Sequence, residues 1–266
     1  MFGNFEVADI IAYHFMTIDV RCRRELQSGA IVSERDYVSA FATRVRDRLW
    51  EHFECHSQTL RFQAENENGV DGIIVFKHDD KIKVGMFEAK RPQFAYNNHG
   101  WDYLSSRHIS HFTEQLENQQ RWKNVFALWE VFINETPNGH LSPPLQSVGS
   151  SCVWQNKAYR FANKKILYPN RWTTRKLKEL LEKDGITLYS IIYDIIICKE
   201  GKLFSINPKD NTVTVINPRS NDIQMEIPLP ELAEGYSNEN DPRITAFLQK
   251  NNLEAYTFVN LDAKRG

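Results

Sequence analysis

Apolar residues recur every fourth position from Tyr37 through Phe41, Val45 and Leu49 to Phe53, and Ser33 with Asp36 forms a capping-box pair ahead of them. This spacing predicts a helix over 34–53. The pattern then changes: QTLRFQA (58–64) reads as a strand, and two β-branched runs, Ile73–Phe76 and Ile82–Phe87, flank the turn-like His78-Asp79-Asp80-Lys81. Helical spacing returns over 103–123, with Ile109, Phe112 and Leu116 on one stripe, and the short apolar run 125–133 predicts a strand. Beyond Asn134 come Pro137, Gly139, Pro143 and Pro144, which mark a soft boundary. TTRKLKELLEKDG (173–185) predicts a helix stopped at its glycine, TLYSIIYDIIICK (187–199) a very apolar strand, and 203–216 a hairpin. The order helix, three strands, helix, strand makes an α/β core of residues 1–134, with a mixed central sheet flanked by helices. Residues 135–266 form a C-terminal α+β extension expected to pack on that core.

The hairpin carries the candidate chemistry. With Asp79 and Asp80 at the tip, cross-strand partners have residue numbers that sum to 159, so Ile73 faces Met86, Val75 faces Val84 and Asp71 faces Glu88. Alternation puts Asp71, Glu88 and Lys90 on one face beyond Ile73, Val75, Val84 and Met86, and Ile74, Phe76 and Phe87 on the other. Apolar residues on both faces predict a central, buried hairpin. Two carboxylates whose Cβ atoms stand about 4.5 to 5.5 Å apart repel one another there, and each is costly to bury unpaired. A hard divalent cation with oxygen ligands resolves both costs, and Mg2+ (or Mn2+ in its place) is the expected ion.

Composition narrows the setting. With 266 residues, 41% of them hydrophobic and 25% charged, the chain can bury a substantial core. Cys22, Cys55, Cys152 and Cys198 are scattered without a CxxC pair, which predicts neither a zinc knuckle nor a disulfide framework and fits a reduced, cytoplasmic setting. No basic-then-apolar leader and no run of about 18 apolar residues is present, so neither export by a signal peptide nor membrane insertion is expected. Net charge is −1, but it is unevenly spread. Residues 136–178 contain no Asp or Glu and carry Lys157, Arg160, Lys164, Lys165, Arg171, Arg175, Lys176 and Lys178, with Tyr159, Phe161, Tyr168 and Trp172 among them. Such a segment is either a nucleic-acid contact surface, with Lys164, Lys165, Arg171, Arg175 and Lys176 as its candidate phosphate ligands, or a solvated basic face over buried aromatics. Residues 221–262 are acidic and read as a solvated or subunit-facing surface.

Asp71, the hairpin and Glu88-Ala89-Lys90, framed by helix, strands, helix and strand, resemble the PD-(D/E)XK nuclease superfamily over about residues 33–134, with Val70 where the name has proline. The resemblance implies a restriction-endonuclease-like core. It also implies a Mg2+-dependent endonuclease acting on DNA, with a restriction or other defence role. Asp71 and Glu88 would ligate the metal together with the Ala89 carbonyl, and Lys90 would orient or polarise the attacking water. Gln115 and Gln119 resemble the glutamine-bearing helix of some members, and Glu34 sits where several carry an extra acid. The residue-level alternatives are a solvated face for the glutamines and a helix-terminal acid for Glu34. His108 and His111 lack a third ligand and are expected to be ordinary polar residues, while Trp129 and Trp154 are expected in the core. An RNA endonuclease on the same fold, or a nucleic-acid-binding protein without catalysis, stay open as alternatives. Duplex cutting by one site per chain would favour a homodimer.

Overall fold

The computed structural model describes residues 2–60, 69–91, 101–102, 104, 109–133, 135–136, 139–140, 149–165, 172–216, 222–231 and 240–263, with the backbone alone at 135–136, 139–140, 165 and 263. Its helices are α1 (Phe5–Ser28), α2 (Glu34–Leu49), α3 (His111–Gln119), α4 (Gln155–Lys165), α5 (Thr174–Asp184), α6 (Leu188–Ile196) and α7 (Pro242–Asn251). Its strands are β1 (Phe53–Thr59), β2 (Gly72–His78), β3 (Lys81–Lys90), β4 (Ala127–Phe132), β5 (Glu135–Thr136), β6 (Gly139–His140), β7 (Ser151–Trp154), β8 (Ile186–Thr187), β9 (Leu203–Ser205), β10 (Thr212–Ile216), β11 (Ile223–Pro228) and β12 (Ala255–Ala263). A mixed sheet runs β1-β12-β2-β3-β4-β7-β8, with β9 pairing β3. β12 is parallel to β2 and β3 to β4, and the other pairings in this sheet are antiparallel.

One face of the sheet is covered by α1, α2 and α6, whose buried stripes meet Ile74, Phe76, Phe87, Ala89 and Trp129. The other face carries two clusters. Ile73, Val75, Val84, Met86 and Leu128 pack against the β10-β11 hairpin and α7, while Phe132 and Val153 pack with α3, α4 and α5. The hairpin register has the expected sum, with Ile73 opposite Met86 and Val75 opposite Val84. Asp79 at the tip adopts φ 53°, the left-handed conformation that Asp tolerates in a tight turn.

Several elements differ from the sequence reading. The helix expected at 34–53 is α2 and ends at Leu49, and Phe53 begins β1, so the strand expected at 58–64 runs earlier, over 53–59; residues 61–64 lie outside the described ones. Residues 188–196 are helical, not a strand. Their β-branched content misled, but Leu188, Ile191, Ile192, Ile195 and Ile196 fall at i, i+3, i+4, i+7 and i+8 and form the buried stripe, and the Thr187 hydroxyl caps the turn by accepting from the Ser190 N–H at 3.1 Å. Residues 203–216 are not one hairpin either, because β9 joins the edge of β3 and β10 pairs with β11. The largest departure is topological: β1 and β2 are not neighbours, because β12, from the far end of the chain, lies between them. The segment after residue 134 therefore supplies an interior strand of the main sheet. Cys22, Cys55, Cys152 and Cys198 are free thiols. Among the described residues no helix is long and apolar enough to cross a membrane.

Candidate metal centre

Asp71 stands one residue before β2, and Glu88 and Lys90 stand at the end of β3, all on the face that carries Ile73 and Met86. The sheet extends this row. Glu254, just before β12, donates its N–H to the Asp71 carbonyl at 2.8 Å, and Glu130 on β4 is the register partner of Glu88. Glu254, Asp71, Glu88 and Glu130 thus occupy successive positions across four adjacent strands. Side chains in register on neighbouring strands share a face, so the row concentrates negative charge where the two apolar clusters of that face meet.

α2 brings a fifth carboxylate. Ser33 and Asp36 form the capping box that starts the helix there: the Asp36 N–H donates to the Ser33 hydroxyl at 3.0 Å, and the Ser33 N–H to the Asp36 carboxylate at 3.1 Å. Tyr37, one turn on, donates its hydroxyl to buried Asp19 at 2.5 Å. Glu34, the first residue of the helix, then reaches the sheet, and oxygens of Glu34, Asp71 and Glu88 lie within 4.8 Å of one another.

The contacts are selective. The Ala89 N–H donates to Asp71 Oδ2 at 2.7 Å. Lys90 Nζ donates to Glu88 Oε1 at 2.5 Å and lies 5.6 Å from the centre of the Phe112 ring. Gln115 Nε2 donates to the same Glu88 oxygen at 2.6 Å, and Arg35 Nε pairs with Glu254 at 2.8 Å. Glu88 Oε2 is buried without a hydrogen-bond partner among the described residues. Because the N–H and C=O of a strand residue point to the same side, the Ala89 carbonyl shares the Asp71 side of β3.

Burial, followed by the charges of Glu88 and Glu34, pushes the Asp71 carboxyl well above the usual range. Glu34 is pushed up to about 7, chiefly by burial and then by Glu88, with Lys90 opposing. Lys90 is held above its ordinary value: burial works against its charge, but Glu88, Glu34 and Asp71 outweigh it. Asp71 and Glu34, which favour protons, stand beside the free oxygen of Glu88, and a hard cation could occupy such a site by displacing protons.

Asp71, Glu88, Ala89, Lys90, Gln115 and Glu34 are therefore brought together. The glutamines are not on a solvated face: Gln115 and Gln119 are both buried, and Gln119 Nε2 donates to the Gly69 carbonyl. The acidic stretch 221–262 is not uniformly a surface feature, since the Glu254 side chain keeps only 14% exposure and lies beside the site. Glu130 and Glu254 were missed. Glu130 left a signal, a lone acid inside the apolar run VFALWEVFI, whereas Glu254 depended on the placement of β12, which nothing local encodes.

The candidate nucleic-acid residues are elsewhere. Lys164 and Arg175 are exposed and Lys176 half-buried on α4 and α5, while Arg171, Tyr168, His108 and the side chain of Lys165 lie outside the described residues. Between these helices is a cavity of about 400 Å³ lined by Lys157, Arg160, Phe161, Lys164, Glu179, Lys183 and Asp184. Trp172 is fully buried, packed between Phe112 and Phe161, so it is a core residue and does not meet bases. Trp129 is in the core as expected, and Trp154 is partly buried against it. Compared with protein-family models, curated proteins and solved structures, the chain matches none.

Proposed function

We propose that this chain is a metal-dependent endonuclease of PD-(D/E)XK type that hydrolyses phosphodiester bonds in DNA. The observation that carries the reading is the meeting of Glu34, Asp71 and Glu88 oxygens within 4.8 Å, with Lys90 Nζ bonded to Glu88. The chain order α2-β1-β2-β3-α3-β4 supports a restriction-endonuclease-like core, enlarged here by β12. Asp71, Glu88 and Glu34, with the Ala89 carbonyl, would hold Mg2+ or Mn2+. A divalent cation at such a site lowers the pKa of bound water and stabilises charge on phosphoryl oxygens.

The remaining groups have separable tasks. An ammonium has three donors, and one of those of Lys90 is committed to Glu88, so two are left to orient a water and to meet a phosphate oxygen. Since surrounding carboxylates strengthen its hold on its proton, Lys90 acts by charge and orientation and not as a base. Gln115 fixes the Glu88 carboxylate by its bond to Oε1, which would leave Oε2 free for a cation. The basic surface of α4 and α5 would carry the flanking phosphates.

The test is incubation of the purified chain with duplex DNA, single-stranded DNA and RNA in Mg2+, repeated in EDTA. Cleavage of DNA that EDTA abolishes is expected. Cleavage of RNA alone would reassign the substrate, and binding without cleavage of any substrate would leave a nucleic-acid-binding protein.

A further inference from the structure

We infer that Arg35, the second residue of α2, takes a backbone phosphate of the nucleic acid at the rim of the metal centre, with Glu254 as its anchor; the inference rests on the proposed reading of that centre as acting on nucleic acid. Arg35 Nε donates to Glu254 Oε1 at 2.8 Å, and neither Nη group of Arg35 has a hydrogen-bond partner among the described residues. Glu254 is itself fixed beside the site, because its N–H donates to the Asp71 carbonyl at 2.8 Å and its carbonyl accepts from the Leu60 N–H at 2.9 Å. The segment that leads into α2 is tied to the end of β3 as well: Arg91, next to Lys90, donates from Nη1 to the Val32 carbonyl at 2.6 Å. Arg35 therefore starts next to Glu34 and ends on the carboxylate that adjoins Asp71.

Geometry and exposure decide what the free edge meets. A guanidinium carries its N–H donors in a planar fork, and a carboxylate that takes it fork to fork occupies a whole edge. Glu254 takes Nε alone, so the edge between Nη1 and Nη2 stays open to a second anion. Two cations are bonded to the acids of the site. Lys90 is only 11% exposed, whereas Arg35 keeps 43%, so Arg35 is the one that a large ligand reaches first. An arginine edge matches the two free oxygens of a phosphodiester, and an ammonium meets them only as a point charge. Lys90 then faces the phosphate at the metal and Arg35 a neighbouring one. Backbone phosphates are the same in every sequence, so this contact sets register and affinity and carries no sequence preference.

The experiment is binding of duplex DNA by the full chain at a series of salt concentrations, with Ca2+ in place of Mg2+, beside Mn2+ uptake followed by calorimetry. Arg35→Ala should bind DNA at least about tenfold more weakly, the loss expected for a charge-assisted bond. Its log-log salt slope should be smaller by about 0.9, the change for a single phosphate contact. Mn2+ uptake should persist, since Arg35 offers the ion no ligand. Arg35→Lys should bind more like Arg35→Ala than like the wild type, because an ammonium lacks the fork that holds Glu254 and a phosphate at once. Should Arg35→Ala fail to fold, Arg35→Gln, which keeps a donor for Glu254, should show the same change of slope. An unchanged slope and affinity would overturn the inference, as would full rescue by Arg35→Lys. Loss of Mn2+ uptake in Arg35→Ala would overturn it too, by making Arg35 part of the scaffold of the metal centre. A wild type that binds DNA through Arg35 but cleaves nothing in Mg2+ would sink the proposed function and leave the phosphate contact standing, and one that binds no duplex DNA would overturn both.

Discussion

At the scale of single residues, Glu34 and Asp71 favour their neutral forms because burial and neighbouring acids oppose ionisation. Glu34 shifts from 4.5 to about 7 on folding, so the folded chain binds more protons than the unfolded chain across that window. Stability then falls as pH rises from about 4.5 through about 7, because ∂ΔG/∂pH takes the sign of protons bound unfolded minus protons bound folded. Melting scans in EDTA should show that decline, and saturating Mg2+ should reverse it, since the cation needs the carboxylates ionised. Asp71→Asn removes from the row an acid whose ionisation burial and its neighbours oppose. Without metal it should be neutral or up to about 1 kcal/mol more stable than the wild type. Added Mg2+ should raise the melting temperature of the wild type and not of the variant, because a ligand stabilises the state that binds it. Equal shifts in both would move the site elsewhere.

Whole elements deliver these residues. α2 carries Glu34 to the sheet, anchored by Tyr37 on Asp19, which also accepts from the Ser150 N–H and hydroxyl at 2.5 and 2.6 Å. Tyr37→Phe deletes a buried bond to a charged acceptor, so urea unfolding should show a loss of about 1.5 to 3 kcal/mol. Metal affinity should fall with it, and an unchanged affinity would mean that α2 is held by other contacts. The hairpin was legible because register follows from two local facts, a polar tip and alternation, and these alone set Asp71 opposite Glu88. α2 was legible from its capping box and fourfold spacing. α6 was not, because Ile-rich composition and helical spacing compete over a short apolar run, and only packing against α1 and β3 selects the helix. Ile195→Ala on that stripe should cost about 2 to 5 kcal/mol.

For the molecule as a whole, the decisive feature is β12. It closes the gap between β1 and β2 and brings Glu254 to the Asp71 carbonyl, so the acidic row is assembled from both ends of the sequence. Non-local pairing of this kind leaves no periodic or turn signal, which is why the region after residue 134 reads in sequence as an addition to the core. A fragment of residues 1–134 lacks β12, β7 and α6, and circular dichroism should find it without a cooperative melt; a cooperative transition like that of the full chain would show that the N-terminal half is self-sufficient. The central claim is that Asp71, Glu88 and Lys90 form a metal-dependent hydrolytic site. Its most direct test is the rate of duplex DNA cleavage in Mg2+ by the wild type and by Asp71→Asn, Glu88→Gln and Lys90→Ala, each first shown to be folded. The account predicts cleavage by the wild type alone, lost in EDTA; cleavage by any variant near the wild-type rate, or by the wild type in EDTA, would contradict it.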